Sequence, residues 1–231
     1  MNKSLLDALN ASAGAIFLLA AFGMVATRQA MASLRLFVVQ AAALAASAFL
    51  LASRGEGYHL WATGGITVVT KVLLLPWLLR RTIQSDVYVK REIDQVFNIP
   101  TSLLLALVLV LFAFGLSRSL RSLLPEAART VNLPVGLGGL LLAAYTLTVR
   151  REAVPQVMGL LALENGAFFV GIAVARSLSV IAELAAGFDI IVTVVILGLL
   201  TRAIRERLGT TSVGRLTSLR EEGSSQRAGA S

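Results

Sequence analysis

The sequence predicts an all-α, polytopic membrane protein with about seven transmembrane helices. The chain has 231 residues, of which 56% are hydrophobic and only 15% charged. That composition is too apolar for a soluble domain of this size. The apolar residues also fall into seven runs, each near the ~20 residues that a spanning helix needs, and most Lys and Arg residues lie between the runs.

The seven apolar segments follow one another along the chain, with two longer interruptions. Their approximate bounds are Leu9–Ala26, Leu34–Ala52, His59–Leu79, Ile99–Leu116, Leu133–Val149, Val154–Ala175 and Leu178–Ile204. Residues 82–98 form one long loop, whose apolar residues indicate a short amphipathic piece. Residues 117–132 form the other, and they separate a four-helix N-terminal region (1–120) from a three-helix region (121–204). A basic tail follows (205–231), and its polar end is expected to be disordered.

The basic residues are divided unequally between the two faces of this arrangement. Seven spans place the termini on opposite sides, with 14 Lys and Arg residues on one face and 6 on the other. The positive-inside rule then predicts a cytoplasmic C-terminus and an N-terminus outside. Because Asp7 offsets Lys3, and arginines follow the first apolar run instead of preceding it, that run is interpreted as a retained helix and not a signal peptide.

The amino-acid composition also excludes several kinds of cofactor site and catalytic site. The chain has no cysteine and one histidine, His59, which we interpret as solvated or interfacial. Thiolate metal sites, iron–sulfur clusters and a haem held by two histidines are therefore excluded. No nucleophile elbow, phosphate-binding glycine loop or metal-ligand cluster is found either. We expect no cofactor in this chain and no reaction of its own. The net charge is +8, but the Lys and Arg residues lie between the apolar runs, where they set topology, and nucleic acid is not an expected partner.

Two acids lie near the middle of apolar segments. Glu164 is about ten residues into the sixth segment, roughly 15 Å deep at 1.5 Å per residue, and Asp189 is similarly central in the seventh. A central acid costs about 2.5–3.5 kcal/mol on insertion scales, and such residues commonly mark proton or ion routes. The alternative for each is a structural contact between helices. Glu183, nearer the outer end of the seventh segment, is either the exit of a relay or an interfacial charge.

Two further polar residues lie inside apolar segments. Lys71 is nine residues before Arg80, about 13 Å from that end of the third segment, which is too far for its ammonium to reach the interface. Pro76 frees a backbone carbonyl nearby and is expected to disturb the helix. Lys71 is therefore a candidate titrating base, or else it pairs permanently with one acid of the bundle. Gln40, in the second segment, is able to bridge waters between charged sites, although a plain helix contact is the simpler interpretation.

The C-terminal third carries a recognisable pattern. TLTVRREAVPQVMGLLALENGAFF, followed by AAGFDIIVTVVILGLLTRAIRERLGTTSV, resembles subunit K of respiratory complex I and the equivalent small membrane component of multi-subunit cation/proton antiporters. Those proteins have three helices, an arginine-bearing turn, a G-L-E-x-x-x-N motif in the second helix and an acid in the third. The positions that fall on this pattern are Arg150, Arg151, Gly159, Leu160, Asn165, Asp189 and Arg202.

With four extra N-terminal helices, nearly the whole chain is similar to component E of hydrogenase-four, a membrane component of formate hydrogenlyase-type complexes. The alignment puts the family acid of the second helix on Leu161, whereas the acid here is Glu164. Three residues are about one turn, so both positions share a face.

The resemblance implies a bacterial inner-membrane subunit beside large antiporter-like subunits. A soluble arm with nickel–iron and iron–sulfur centres would supply redox energy, and the buried acids would belong to a proton path. The leading hypothesis is therefore a proton-conducting subunit without catalysis of its own. The alternatives are a structural, anchoring subunit of the same kind of complex, a subunit of a cation/proton antiporter, and a small independent transporter. The sequence leaves the coupled ion and the redox substrate open.

Overall fold

The protein is a bundle of membrane-length helices in the computed structural model, which describes residues 3–55, 59–77, 98–120, 131–150 and 153–174. The described residues belong to a compact unit, Met1–Ile191, and a second unit, Val192–Ser231, lies outside them. The helices are α1 (Lys3–Ala26), α2 (Ala30–Ser53), α3 (from His59), α4 (Ile99–Leu120), α5 (Asn132–Val149) and α6 (Ala153–Val174). Helix α3 is α-helical over His59–Thr67, π-helical over Val68–Leu74, and α-helical again to Trp77.

Helices α5 and α6 form a tightly packed antiparallel hairpin. A Cβ atom on Gly136 would lie 2.5 Å from the backbone nitrogen of Val170, and one on Gly166 would lie 2.5 Å from that of Leu140. Real side chains do not tolerate such distances, so these glycines allow the two backbones to touch. Close approach through small residues is how helices associate where lipid removes the hydrophobic driving force. The hairpin fixes the depth of every polar residue on α6.

Contacts at both ends of the bundle fix the directions of α1, α2 and α5. Near one end, Asn10 of α1 hydrogen-bonds to Ser47 of α2 and Asn132 of α5. At the other end, Arg150 Nη2, just after α5, donates to the carbonyl oxygens of Met24 (2.8 Å) and Thr27 (2.6 Å). Helices α1 and α5 therefore run parallel, and α2 runs against both. Since α6 opposes α5, α2 and α6 run in the same direction.

Helix α4 lies at the periphery and presents most of its apolar side chains outward. Leu111 is 62% exposed, and the large exposed side chains of this helix also include Leu104 and Phe112. Its buried side is small, with Ala106, Ala113 and Ser102; the Ser102 hydroxyl accepts a hydrogen bond from the Tyr145 hydroxyl of α5 (2.9 Å). An apolar outer face of this kind suits lipid and not water.

The predicted fold class is confirmed, because every secondary-structure element of the described residues is a helix. Six of these helices are long and apolar enough to cross a membrane, judged by length and composition, and they coincide with the first six predicted segments. The seventh, Leu178–Ile204, lies outside the described residues, as do most of the predicted amphipathic loop and the basic tail. The division at residue 120 and the orientation of the termini stay predictions.

Candidate functional site in the middle of the bundle

The π-helical stretch of α3 carries Lys71 at its centre. In this stretch the Leu75 N–H donates to the carbonyl oxygen of Thr70, five residues back instead of four. Within the same stretch, the Thr70 hydroxyl donates to the carbonyl of Ile66 (2.7 Å), a type of bond that bends helices. The disturbance expected near Pro76 is thus a widened turn directly ahead of the proline. Single-turn π segments inside α-helices are frequent at functional sites.

The Lys71 side chain extends from this turn to α6 and pairs there with Glu164. Lys71 Nζ lies 3.1 Å from Glu164 Oε1, and the two side chains are 2% and 16% exposed. The same nitrogen lies 4.3 Å from the centroid of the Phe168 ring. Glu164 and Phe168 are four residues apart, so both occupy one face of α6. The sequence left open whether Lys71 pairs with an acid, and the structure identifies Glu164 as that acid.

Two uncharged amides lie at the same depth as the ion pair. Gln40 is ten residues after the start of α2, and Glu164 and Asn165 are eleven and twelve after the start of α6, so all three are roughly 15–18 Å from the same end of parallel helices. The Gln40 and Asn165 side chains are completely buried. Neither amide has a hydrogen-bond partner among the described residues, and neither Glu164 oxygen accepts a hydrogen bond there. We call Gln40, Lys71, Glu164 and Asn165 the central cluster, a name that refers to their common depth in the bundle.

Sequence reasoning missed a second buried polar group, the ring formed by Asn10, Ser47 and Asn132. Asn10 Nδ2 donates to Asn132 Oδ1 (2.7 Å), Ser47 Oγ donates to Asn10 Oδ1 (2.6 Å), and Asn132 Nδ2 donates to Ser47 Oγ (3.3 Å). These three bonds close a circle between α1, α2 and α5, which we call the asparagine ring. Its only signal in the sequence is three small polar residues near the ends of apolar segments, a pattern that gives no indication of pairing.

Two of the described family-motif residues, Arg150 and Gly159, have packing roles, whereas Asn165 belongs to the central cluster and Leu160 is 45% exposed. Arg150 is 2% exposed and caps the end of α1, as described above. A Cβ atom on Gly159 would contact the backbone of Leu147 at 3.3 Å, which makes it part of the α5–α6 seam. Leu161, the position of the family acid, is buried. Arg151, Glu183 and Asp189 lie outside the described residues, and so does the side chain of His59.

The described residues offer no group of three or more His, Cys, Asp or Glu side chains that could hold a metal ion. The central cluster contains one carboxylate, one ammonium and two amides. The ammonium and the carboxylate balance each other, so these four residues offer no excess negative charge to a bound cation.

The sequence has relatives among known proteins. It is 32% identical over 195 residues to "Uncharacterized protein Rv0085" of Mycobacterium tuberculosis, covering 84% of this chain and 88% of that protein. It is also 30% identical over 175 residues to "Hydrogenase-4 component E" of Escherichia coli, covering 71% of this chain and 74% of that one. The protein of the same name from Shigella flexneri matches equally well. No family model matches, and no solved structure does. By this shared length and identity, the chain belongs to the hydrogenase-4 component E family.

Proposed function

We propose that the protein is an integral membrane subunit of a hydrogenase complex of the formate hydrogenlyase type, and that its central cluster is part of a proton-translocation path. Kinship with hydrogenase-4 component E supports the first half of this proposal. The observation that carries the second half is the contact between Lys71 Nζ and Glu164 Oε1, 3.1 Å apart in mid-bundle. The protein itself would catalyse no reaction.

The pair has the chemistry that a relay step needs. In the charged state an ammonium faces a carboxylate. Transfer of one proton from Lys71 to Glu164 converts both groups to neutral forms, which an apolar environment tolerates better than a separated charge. The charged and neutral forms of the pair hold the same number of protons, so this internal transfer leaves no lone charge in the membrane. Net passage of a proton requires that one group takes it from, and the other gives it to, a further donor and acceptor on the path. Ionisable residues inside membrane bundles commonly mark such routes.

The proposed complex extends beyond this chain. Antiporter-like membrane subunits would adjoin it, and a soluble arm with nickel–iron and iron–sulfur centres would supply the energy for translocation. The complex would lie in the bacterial inner membrane, with the N-terminus of this chain outside and its C-terminus in the cytoplasm. In the subunit-K-like arrangement of residues 121–204, Asp189 and Glu183 of the seventh segment would extend the path beyond the central cluster.

The test is Glu164→Gln in the complete complex, with the C-terminus tagged. Glutamine keeps the size of the side chain and removes the exchangeable carboxyl proton. We expect the complex still to assemble on blue-native gels, with a lower thermal midpoint because Lys71 loses its counter-charge. Proton translocation should be lost, measured as acidification driven by the redox reaction in membrane vesicles. The matched control is Asp7→Asn, a carboxyl that is ion-paired with Arg54 near the helix ends, which should translocate normally. Wild-type translocation by Glu164→Gln would refute the relay.

A structural, anchoring subunit is the second candidate. Three observations favour it: the asparagine ring, the Arg150 cap, and the close α5–α6 contact at Gly136 and Gly166. All of them hold helices together without exchanging protons. On this hypothesis Glu164→Gln loses assembly, and translocation falls only in proportion. The remaining alternative is a subunit of a cation/proton antiporter. Identification of the co-purifying proteins distinguishes it from a hydrogenase subunit, because an antiporter would bring antiporter-like subunits and no redox subunit.

A further inference from the structure

The ammonium of Lys71 has two neighbours on α6, and only one of them is an acid. The Phe168 ring lies one helical turn beyond Glu164, with its centroid 4.3 Å from Nζ. Phe168 is partly buried and packs against the core cluster that also contains Phe17 and Phe169. The ring and the carboxylate therefore contact the same nitrogen from one face of one helix.

The face of an aromatic ring attracts a cation through the ring's quadrupole and has no comparable attraction for a neutral amine. The interaction is strongest where water is excluded, and Lys71 is 2% exposed. Lysine has a flexible four-carbon stem, so its nitrogen keeps a fixed position beside Glu164 only if something holds it there. Glu164 alone cannot do so throughout a relay, because its attraction falls whenever it takes a proton from another donor while Lys71 stays charged.

We propose that Phe168 is a positioning residue for the Lys71–Glu164 pair: its ring face holds the ammonium within reach of the carboxylate and releases the amine once the proton has left. The inference rests on the proposed function of the pair. It assigns a role to a residue that neither the sequence motif nor the ion pair singles out. The adjacent Phe169 has a different role, since its ring packs against Phe17 at a centroid distance of 4.6 Å.

The test replaces Phe168 in the full complex with mono-, di- and trifluorophenylalanine by amber suppression. Fluorine withdraws electron density from the ring face and changes the shape of the ring little. Each added fluorine atom therefore weakens the attraction between the ring and the Lys71 ammonium by a further step. The same series at Phe169 is the matched control, because that ring packs on Phe17. Two quantities are measured: the rate of proton translocation per assembled complex, and the thermal midpoint of the purified complex with Lys71 present and with Lys71→Met.

We expect translocation to fall in steps along the Phe168 series, by roughly two- to thirty-fold in total, the range that interactions of this class span. The thermal midpoint should fall in parallel, and this fall should disappear in the Lys71→Met background. The Phe169 series should leave translocation within about two-fold of wild type.

Three outcomes overturn the inference. Translocation that is flat or rises along the Phe168 series removes the positioning role. If the thermal midpoint falls stepwise along the Phe168 series while the translocation rate stays unchanged, the ring is a structural contact only. Equal effects at Phe169 mean that fluorine acts through general packing. Failure of the proposed function is recognised separately, since Glu164→Gln would then translocate normally whatever the fluorine series shows.

Discussion

The two buried polar groups of this protein differ in how their hydrogen-bonding capacity is used. The asparagine ring is neutral, joins α1, α2 and α5, and closes its three bonds on itself. The central cluster is charged, spans α2, α3 and α6, and leaves the amides of Gln40 and Asn165 without partners among the described residues. Both groups are buried, so burial alone does not distinguish a structural element from a functional one.

On the proposed function, this difference separates a group that serves stability from one that serves proton transfer. A buried polar group normally finds a partner, because an unpaired one costs about 1–3 kcal/mol. The asparagine ring follows this rule and holds three helices in register. The central cluster departs from it at mid-membrane depth, and such departures are expected where a site must exchange a proton or bind water. Substitutions in the two groups should therefore act on different properties.

The largest effect on stability should come from Lys71→Met. This change leaves the Glu164 carboxylate without its counter-charge, and breaking a buried pair in this way typically costs about 3–5 kcal/mol. We expect a large fall in the thermal midpoint of the purified complex, together with lost translocation. The double variant Lys71→Met/Glu164→Leu should regain most of the midpoint and none of the translocation. If Lys71→Met alone were as stable as the wild type, the pair would not be charged in the folded protein.

Asn132→Leu should have the next largest effect, and on stability alone. It opens the asparagine ring and leaves Asn10 Nδ2 and Ser47 Oγ short of partners, at a cost of about 1–3 kcal/mol. The expected result is a lower thermal midpoint and a lower yield, with unchanged translocation per assembled complex. If translocation per complex fell as well, the asparagine ring would belong to the functional path and the contrast between the two groups would be lost.

Gln40→Leu and Asn165→Leu should show the opposite behaviour. Both side chains are fully buried, and removing an amide that has no partner among the described residues should leave the free energy of unfolding within about 1 kcal/mol of wild type, or raise it. On the proposed function translocation should fall, because two buried amides at the depth of the ion pair, each able to bind water, are removed. A loss of stability as large as that of Asn132→Leu would count against this distinction.

The smallest effect should come from the ion pair of Arg54 and Asp7 near the helix ends. Their side chains are 26% and 54% exposed, and pairs of this kind contribute about 0–1 kcal/mol. Arg54→Gln should lower the midpoint slightly at low salt and not at all near about 1 M salt, where the Debye length is about 3 Å. A salt-independent loss would mean that Arg54 acts through its other contacts.

The sequence was informative about helices and depth, and much less so about contacts. The length and spacing of the apolar runs predicted the six described helices, and the position of Lys71 within its run predicted that its charge is buried. Its pairing with Glu164 was only one of two interpretations, because residues 93 positions apart in sequence meet in ways that periodicity does not encode.

The π-helix could not be predicted for a related reason. Pro76 indicates a disturbed helix, but not whether the helix kinks or widens. The partners of Asn10 could not be predicted, since short polar residues in apolar segments rarely reveal what they bind.

The Arg150 cap has a consequence for the order of biosynthesis. The carbonyl group of Thr27 receives its partner from a residue made 123 positions later, and at about 5–20 residues per second this delay is roughly 6–25 s. During that time α1 and α2 are already made, but the end of α1 is not yet closed. The carbonyl groups at the end of α1 therefore lack their final partner until Arg150 has been made.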